Sequence, residues 1–202
     1  AYVSTAMRSG ARMGDTTLVD MMVATLSDPF GVGHMGITAE NLATKWVISR
    51  EEQDALAAES HTRAAAAIKD GRFKSQIVPV VKKTRKGDVV VDTDEHVKAG
   101  TTAESLAKLR PAFKKDGTVT AGNASGINDA ASFFVLADAS AAQAAGLKPI
   151  ARLVSYAVAG VPNHIMGEGP IPASKLAFKK AGLSLVDTRD DALLDRIPPR
   201  AV

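Results

Sequence analysis

Apolar and polar positions change their spacing several times along this chain, and each change predicts an element. Residues 18–26 (LVDMMVATL) are apolar enough to pack and predict a short helix, broken by Asp28-Pro29. Thr38 is a predicted N-cap for a helix running to Trp46. Ser49-Arg50-Glu51-Glu52 has the capping-box pattern and predicts a helix to about Asp70, closed by Gly71. On that helix Ala55, Ala58, Glu59, Thr62 and Ala66 form a small-residue face suited to close packing, and His61 reads as a surface residue. Residues 77–81 (IVPVV) predict an edge strand, with 89–91 (VVV) returning after a basic turn and Gly87. A short helix is predicted over 102–109, stopped by Arg110-Pro111. Residues 132–136 (SFFVL) predict a strand buried on both faces. A helix over 139–145, a strand over 151–159, a Gly/Pro-rich loop over 160–172 and a helix over 173–181 follow. Strand, helix, strand, helix in that order fits an α/β layer.

Composition narrows the function classes. The chain has 202 residues, 46% hydrophobic and 23% charged, the balance of a globular protein with a substantial core. A net charge of +3 does not argue for nucleic acid, and nine aromatic residues leave little for a base-stacking surface. Lys82-Lys83-Thr84-Arg85-Lys86 reads as a solvated turn. There is no cysteine, so disulfides, cysteine zinc sites and a cysteine nucleophile are excluded within these residues. No apolar run is long enough to span a membrane.

Two loops carry the candidate chemistry. Residues 118–131 (TVTAGNASGINDAA) place Gly122, Gly126 and four alanines among Asn123, Ser125, Asn128 and Asp129. Such a loop allows close approach and offers short polar groups, and α/β proteins often hold ligands at such edges. A tight turn with no ligand would use the same residues. The second loop sets His34 and Met35 among Gly31, Gly33 and Gly36 at a helix start. An imidazole there suits a ligand contact or a structural role. No ligand-spaced partner accompanies it, so no metal is expected.

The segments GHMGITAENLA (33–43), ISREEQDALAAESH (48–61), KLRPAF (108–113), DGTVTAGNASGINDAA (116–131) and MGEGPIPA (166–173) together resemble the biosynthetic-type thiolases, the acetyl-CoA C-acetyltransferases or β-ketothiolases. The similarity covers residues 3–186. It implies an α/β fold of thiolase type in partial form: the loop domain plus the junction of two βαβαβαββ core halves. Residues 1–127 correspond to the coenzyme A-covering loop domain. Residues 128–146 correspond to the last strand and helix of the first half, and 147–186 to the start of the second. Residues 187–202 form a divergent tail.

The resemblance also implies roles. Ser125 matches a serine contacting pantetheine, with Ala121 beside it. His34, Met35 and Phe113 match the acyl and pantetheine tunnel, Ser105 a position near adenine, and Leu26 a further coenzyme A contact. Lys98 stands where relatives often carry an arginine near the nucleotide; it supplies the charge but not the planar fork. The family reaction reversibly condenses two acetyl-CoA to acetoacetyl-CoA through a cysteine acyl-enzyme. It uses coenzyme A thioesters as substrates and no cofactor. Homotetramers, with no nucleic acid or membrane partner and a cytoplasmic location, complete the expectation.

None of the family's catalytic motifs occurs here, so no catalytic residue is assigned and the chain by itself is expected to be inactive. Ala1 begins without Met, and the tail departs from the family. A fragment, a frame-shifted product and a truncation all fit. The alternative is a non-catalytic remnant that holds coenzyme A or associates with complete subunits. A degradative thiolase for longer acyl chains is less favoured by the His-Met-Gly stretch.

Overall fold

The computed structural model of the chain describes residues 1–4 and 6–183, so the expected tail over 187–202 lies outside the described residues. Two compact units emerge, one of Ala1–Ile127 with Asn163–Ile165, the other of Asn128–Pro162 with the chain from Met166 onward.

The first unit opens with β1 (Tyr2–Val3) antiparallel to β2 (Val19–Asp20). The single helical turn α1 (Ala6–Ser9) lies between them, followed by a bend with Gly10 at φ 77° and Gly14 at φ 104°. The helix predicted over 18–26 is only α2 (Met21–Thr25). The Asp20 carboxylate fixes its start by accepting the N–H groups of Met22 and Val23 at 2.8 and 3.1 Å. Next, β3 (Ser27–Asp28) and β4 (Gly33–His34) make a short hairpin whose loop is tied down by the Asp28 carboxylate.

Helix α3 (Met35–Trp46) starts earlier than predicted, and Thr38 is not its cap. His34 is: its Nδ1 accepts the Gly36 N–H at 3.0 Å. Thr38 lies in the first turn, buried, and its hydroxyl donates to the Met35 carbonyl at 2.7 Å. At the other end Val47 sits in the left-handed region at φ 53°, while the Ile48 N–H closes the helix on the Ala43 carbonyl. A β-branched side chain is poorly suited to that region. Because Val47 is 85% exposed, Val47→Gly removes strain and little buried surface. It is expected to stabilise the fold by about 0.5–1 kcal/mol in urea unfolding, since glycine's added unfolded-state entropy takes back part of the gain.

The capping box at Ser49 forms as the sequence predicts. Ser49 Oγ accepts the Glu52 N–H and Glu52 accepts the Ser49 N–H, starting α4 (Arg50–Lys69). The expected small-residue face is not the packed one: Ala55, Glu59, Thr62 and Ala66 are exposed, while Asp54 is buried and His61 half-buried. The hairpin of β5 (Val80–Thr84) and β6 (Gly87–Val91) pairs Val80 with Val91 through Thr84 with Gly87. Residues 77–79 stay outside the ladder. Arg85-Lys86 make the two-residue turn, and Gly87 takes φ 114°, which favours glycine. Finally, α5 (Ala103–Ala107) begins at a Thr102–Ser105 capping box.

In the second unit α6 (Ala139–Ala144) is capped by Asp138, and Gly146 follows at φ 67°. Bonds from the Ser140 hydroxyl and from the Ser140 and Ala141 N–H groups hold the Asp138 carboxyl below the usual aspartate range. A 3-10 helix (Asn163–Glu168), whose first three residues count with the first unit, and α7 (Pro170–Lys180) occupy much of the predicted 160–172 loop. Proline suits the first helical turn, where no N–H is needed, so Pro170 starts the helix three residues earlier than the sequence suggested. The strands predicted over 132–136 and 151–159 are absent. Phe133 is 92% exposed, and Leu136 and Val158 are also open to solvent. A buried strand needs neighbours on both edges, and the described residues of this unit offer none. Ser155 instead donates to the Ala177 carbonyl at 2.9 Å. No helix of the described residues is long and apolar enough to cross a membrane.

Candidate functional site

All eight candidate residues lie in the first unit, whose buried centre is as polar as it is apolar. Ala43, Leu106, Val119 and Ile165 are buried beside Thr38, Glu40, Asp54 and Thr120. The polar half fastens the loop that follows Gly117. Glu40, on α3 and only 4% exposed, accepts the Thr118 N–H at 2.9 Å and the Val119 N–H at 2.8 Å. Its carboxylate also accepts the Thr118 hydroxyl at 3.2 Å. Asp54, on α4 and 3% exposed, binds Arg50 Nε at 2.7 Å and accepts Asn123 Nδ2 at 2.9 Å. Asn123 also donates to the Thr118 carbonyl and accepts the Thr120 N–H, at 3.0 and 2.7 Å. Arg50 Nη2 reaches on to the carbonyls of Leu106 and Leu109.

These bonds hold the turn from which Ala121 and Ser125 project. Both are exposed. Gly122 lets its centre pack closely, since a Cβ there would lie 2.5 Å from both Leu106 Cδ2 and Leu109 Cδ1 and would force those leucine ends to shift. The turn is therefore fixed from beneath and open above, the arrangement that a preformed ligand wall requires.

His34 and Phe113 meet beside it. Their rings stack at 4.8 Å between centroids and 22° between planes. Helix α3 passes so close to Phe113 that a Cβ at Gly36 would overlap one edge of the ring. Leu26 joins the same cluster through its carbonyl, which accepts the Met35 N–H at 2.7 Å. Met35 itself is exposed. Phe113 follows the Pro111–Thr120 bridge, and the Ala112 N–H donates to the Val119 carbonyl at 2.9 Å. Backbone pairing thus joins the His34–Phe113 stack to the Ala121–Ser125 turn.

Ser105 and Lys98 lie on neighbouring segments. The Ser105 hydroxyl is engaged in its own helix cap, accepting the Thr102 N–H and donating to the Thr102 carbonyl. Lys98 is exposed, and its backbone N–H donates to His61 Nδ1 at 3.2 Å. His61 is therefore a surface residue, as the sequence suggests, but one tied by this bond to the Lys98 segment. A separate groove of about 860 Å³ lies between the end of α4 and the β5–β6 hairpin, lined by Ile68, Phe73, Ile77 and Val91 among others. None of the eight candidates lines it. No group of three or more His, Asp or Glu among the described residues is placed to hold a metal ion.

Sequence reasoning missed Glu40, Asp54 and Gly36. The usable signal was a buried-compatible acid on each of two helices otherwise rich in small residues. Apart from Arg50, four residues from Asp54, their partners lie 69 to 79 residues away, which no local pattern reveals.

Comparison with known proteins agrees with this architecture. The family described as thiolase, N-terminal domain, matches residues 1–140. The beta-ketothiolase BktB of Cupriavidus necator is 59% identical over 187 residues, 92% of this chain and 48% of that protein. An acetyl-CoA acetyltransferase of Rhizobium meliloti is 56% identical over 182 residues, 90% of this chain and 46% of its own. Among solved structures, the Bacillus anthracis acetyl-CoA acetyltransferase superposes with a TM-score of 0.79 at 48% identity, covering 92% of this chain and 47% of that one. Human mitochondrial 3-ketoacyl-CoA thiolase gives 0.75 at 42% identity, covering 91% and 47%. The chain thus spans about half the length of the relatives it matches. At these identities, and with the fold matched along nine-tenths of its length, this chain belongs to the thiolase family.

Proposed function

We propose that this chain supplies coenzyme A-binding residues to an acetyl-CoA C-acetyltransferase, which reversibly condenses two acetyl-CoA to acetoacetyl-CoA. The observation that carries this reading is the fixed, open turn at Ala121–Ser125 beside the His34–Phe113 stack. A pantetheine arm is a chain of methylenes and amides. It needs a narrow apolar wall with a few placed polar groups, and small side chains that admit it. Phe113, Met35 and Leu26 offer the apolar wall, Ala121 the clearance, and His34 and Ser125 the polar groups. Lys98 and Ser105 serve the nucleotide end. In this reading residues 1–127 form the loop domain over coenzyme A. Residues 128–146 and 147–186 belong to the two core halves, and the complete enzyme is a homotetramer.

The 202 residues contain no cysteine, so the acyl-carrying nucleophile lies outside them. The same observation favours one other reading, a module that holds coenzyme A without chemistry. Ser125→Trp tests the tunnel. In the assembled enzyme it is expected to raise the Michaelis constant for acetyl-CoA at least about tenfold, with the unfolding temperature unchanged because Ser125 is exposed. An unchanged Michaelis constant would remove Ser125 from the tunnel. Saturable coenzyme A binding with no acyl transfer by the native assembly would favour the non-catalytic module.

A further inference from the structure

We infer that His61 is a positioning residue for the nucleotide end of coenzyme A, acting through the backbone of Lys98. This rests on the coenzyme A reading above. Lys98 lies in the irregular segment between β6 and α5, where an exposed lysine has many conformations to lose on binding. The segment is shaped internally by local bonds. The Asp92 carboxylate accepts the Thr93 hydroxyl at 3.0 Å, the Asp94 carboxylate accepts the His96 N–H at 2.8 Å, and the Lys98 carbonyl accepts the Thr101 N–H at 3.1 Å. None of these fixes the segment against the rest of the unit. The bond from the Lys98 N–H to His61 Nδ1, at 3.2 Å, does so, because His61 is carried by the 20-residue helix α4.

The chemistry of the bond is specific. His61 accepts at Nδ1, so the neutral ring carries its proton on Nε2. The His96 ring lies beside it, with centroids 6.4 Å apart and planes tilted by 32°. His61 is half-buried, which holds its ring against the segment. The ammonium of Lys98 is thereby presented from a fixed backbone position. A preset cation loses less entropy on meeting a phosphate than one on a free loop. His61 need not touch the ligand for this effect.

The test separates the two ends of the ligand. Titrations of the protein with coenzyme A, with adenosine 3′,5′-bisphosphate and with pantetheine are compared for His61→Ala, His61→Asn and wild type. His61→Ala is expected to weaken coenzyme A and the bisphosphate about fivefold, the effect of one neutral hydrogen bond, and to leave pantetheine unchanged. Asn places a carbonyl oxygen near the Nδ1 position, so His61→Asn is expected to restore most of the affinity. Amide exchange at Lys98 is expected to quicken in the Ala variant and not in the Asn variant. Equal weakening of coenzyme A and pantetheine, or no weakening of either, overturns the positioning role while leaving the binding site intact. A failure of wild type to bind coenzyme A overturns both that role and the reading beneath it. Loss of the Ala variant's fold, read by circular dichroism, leaves the Asn variant to decide: wild-type affinity supports the role, and weak bisphosphate binding by a folded Asn variant contradicts it.

Discussion

Glu40→Ala is expected to cost the fold about 3–4 kcal/mol in equilibrium urea unfolding. Glu40 is buried and serves two backbone N–H groups and one hydroxyl of the 118–119 segment. Truncation deletes the acceptor and leaves those donors in place. Each buried donor left unpaired costs about 1–3 kcal/mol, with the Val119 N–H the worst placed because that residue is buried. Water entering the space once filled by the side chain recovers part of the loss. Glu40→Gln separates charge from geometry. One oxygen remains to accept, but the amide NH2 faces donors, so a loss of about 1–2 kcal/mol is expected. Amide exchange at Thr118 and Val119 locates the effect. A loss below about 1 kcal/mol in Glu40→Ala, with both amides still protected, would mean that the carboxylate does not hold the turn.

Gly36→Ala sets two effects against each other. Gly36 is the second residue of α3, so alanine gains less there than the about 1 kcal/mol it gains in a helix interior. Against this, the new Cβ overlaps atoms of the Phe113 ring. Overpacking of this kind costs about 1–3 kcal/mol unless the ring moves. Phe113 is only half-buried, so it can swing out at the expense of its stack on His34. The clash outweighs the propensity gain, and a net loss of about 1–2 kcal/mol is expected. Coenzyme A affinity is expected to fall about tenfold, because the displaced ring intrudes on the proposed tunnel. A Gly36→Ala protein that is more stable and binds as before would show that Phe113 has room to spare and does not shape the site.

The elements readable in the sequence are those whose causes are local. The Ser49–Glu52 capping box is complete within four residues, and both of its bonds form. The existence of the hairpin was visible for the same reason, although Lys82, Lys83 and Thr84, read as part of its turn, are paired in β5; the helix closed by Gly146 was visible too. The start of α3 was misplaced because threonine is the commoner cap, while here the imidazole of His34 takes that role. The run at 132–136 misled in a different way. Its apolar residues signal burial, but burial depends on neighbouring strands that the described residues do not provide. The family was legible from its motifs, and the candidate site residues were placed from them by position. What supports the site was not legible. The links from Glu40 to Val119 and from Asp54 to Asn123 join three distant segments, and each depends on where helices α3 and α4 meet the 118–123 loop.

The most direct test of the central claim is calorimetric titration of coenzyme A into the wild-type and Ser125→Trp proteins, with far-ultraviolet spectra confirming equal folding. The account requires saturable binding by wild type and at least a tenfold weaker constant for the variant. No binding by wild type, or the same constant for both, would contradict the assignment of this surface to coenzyme A.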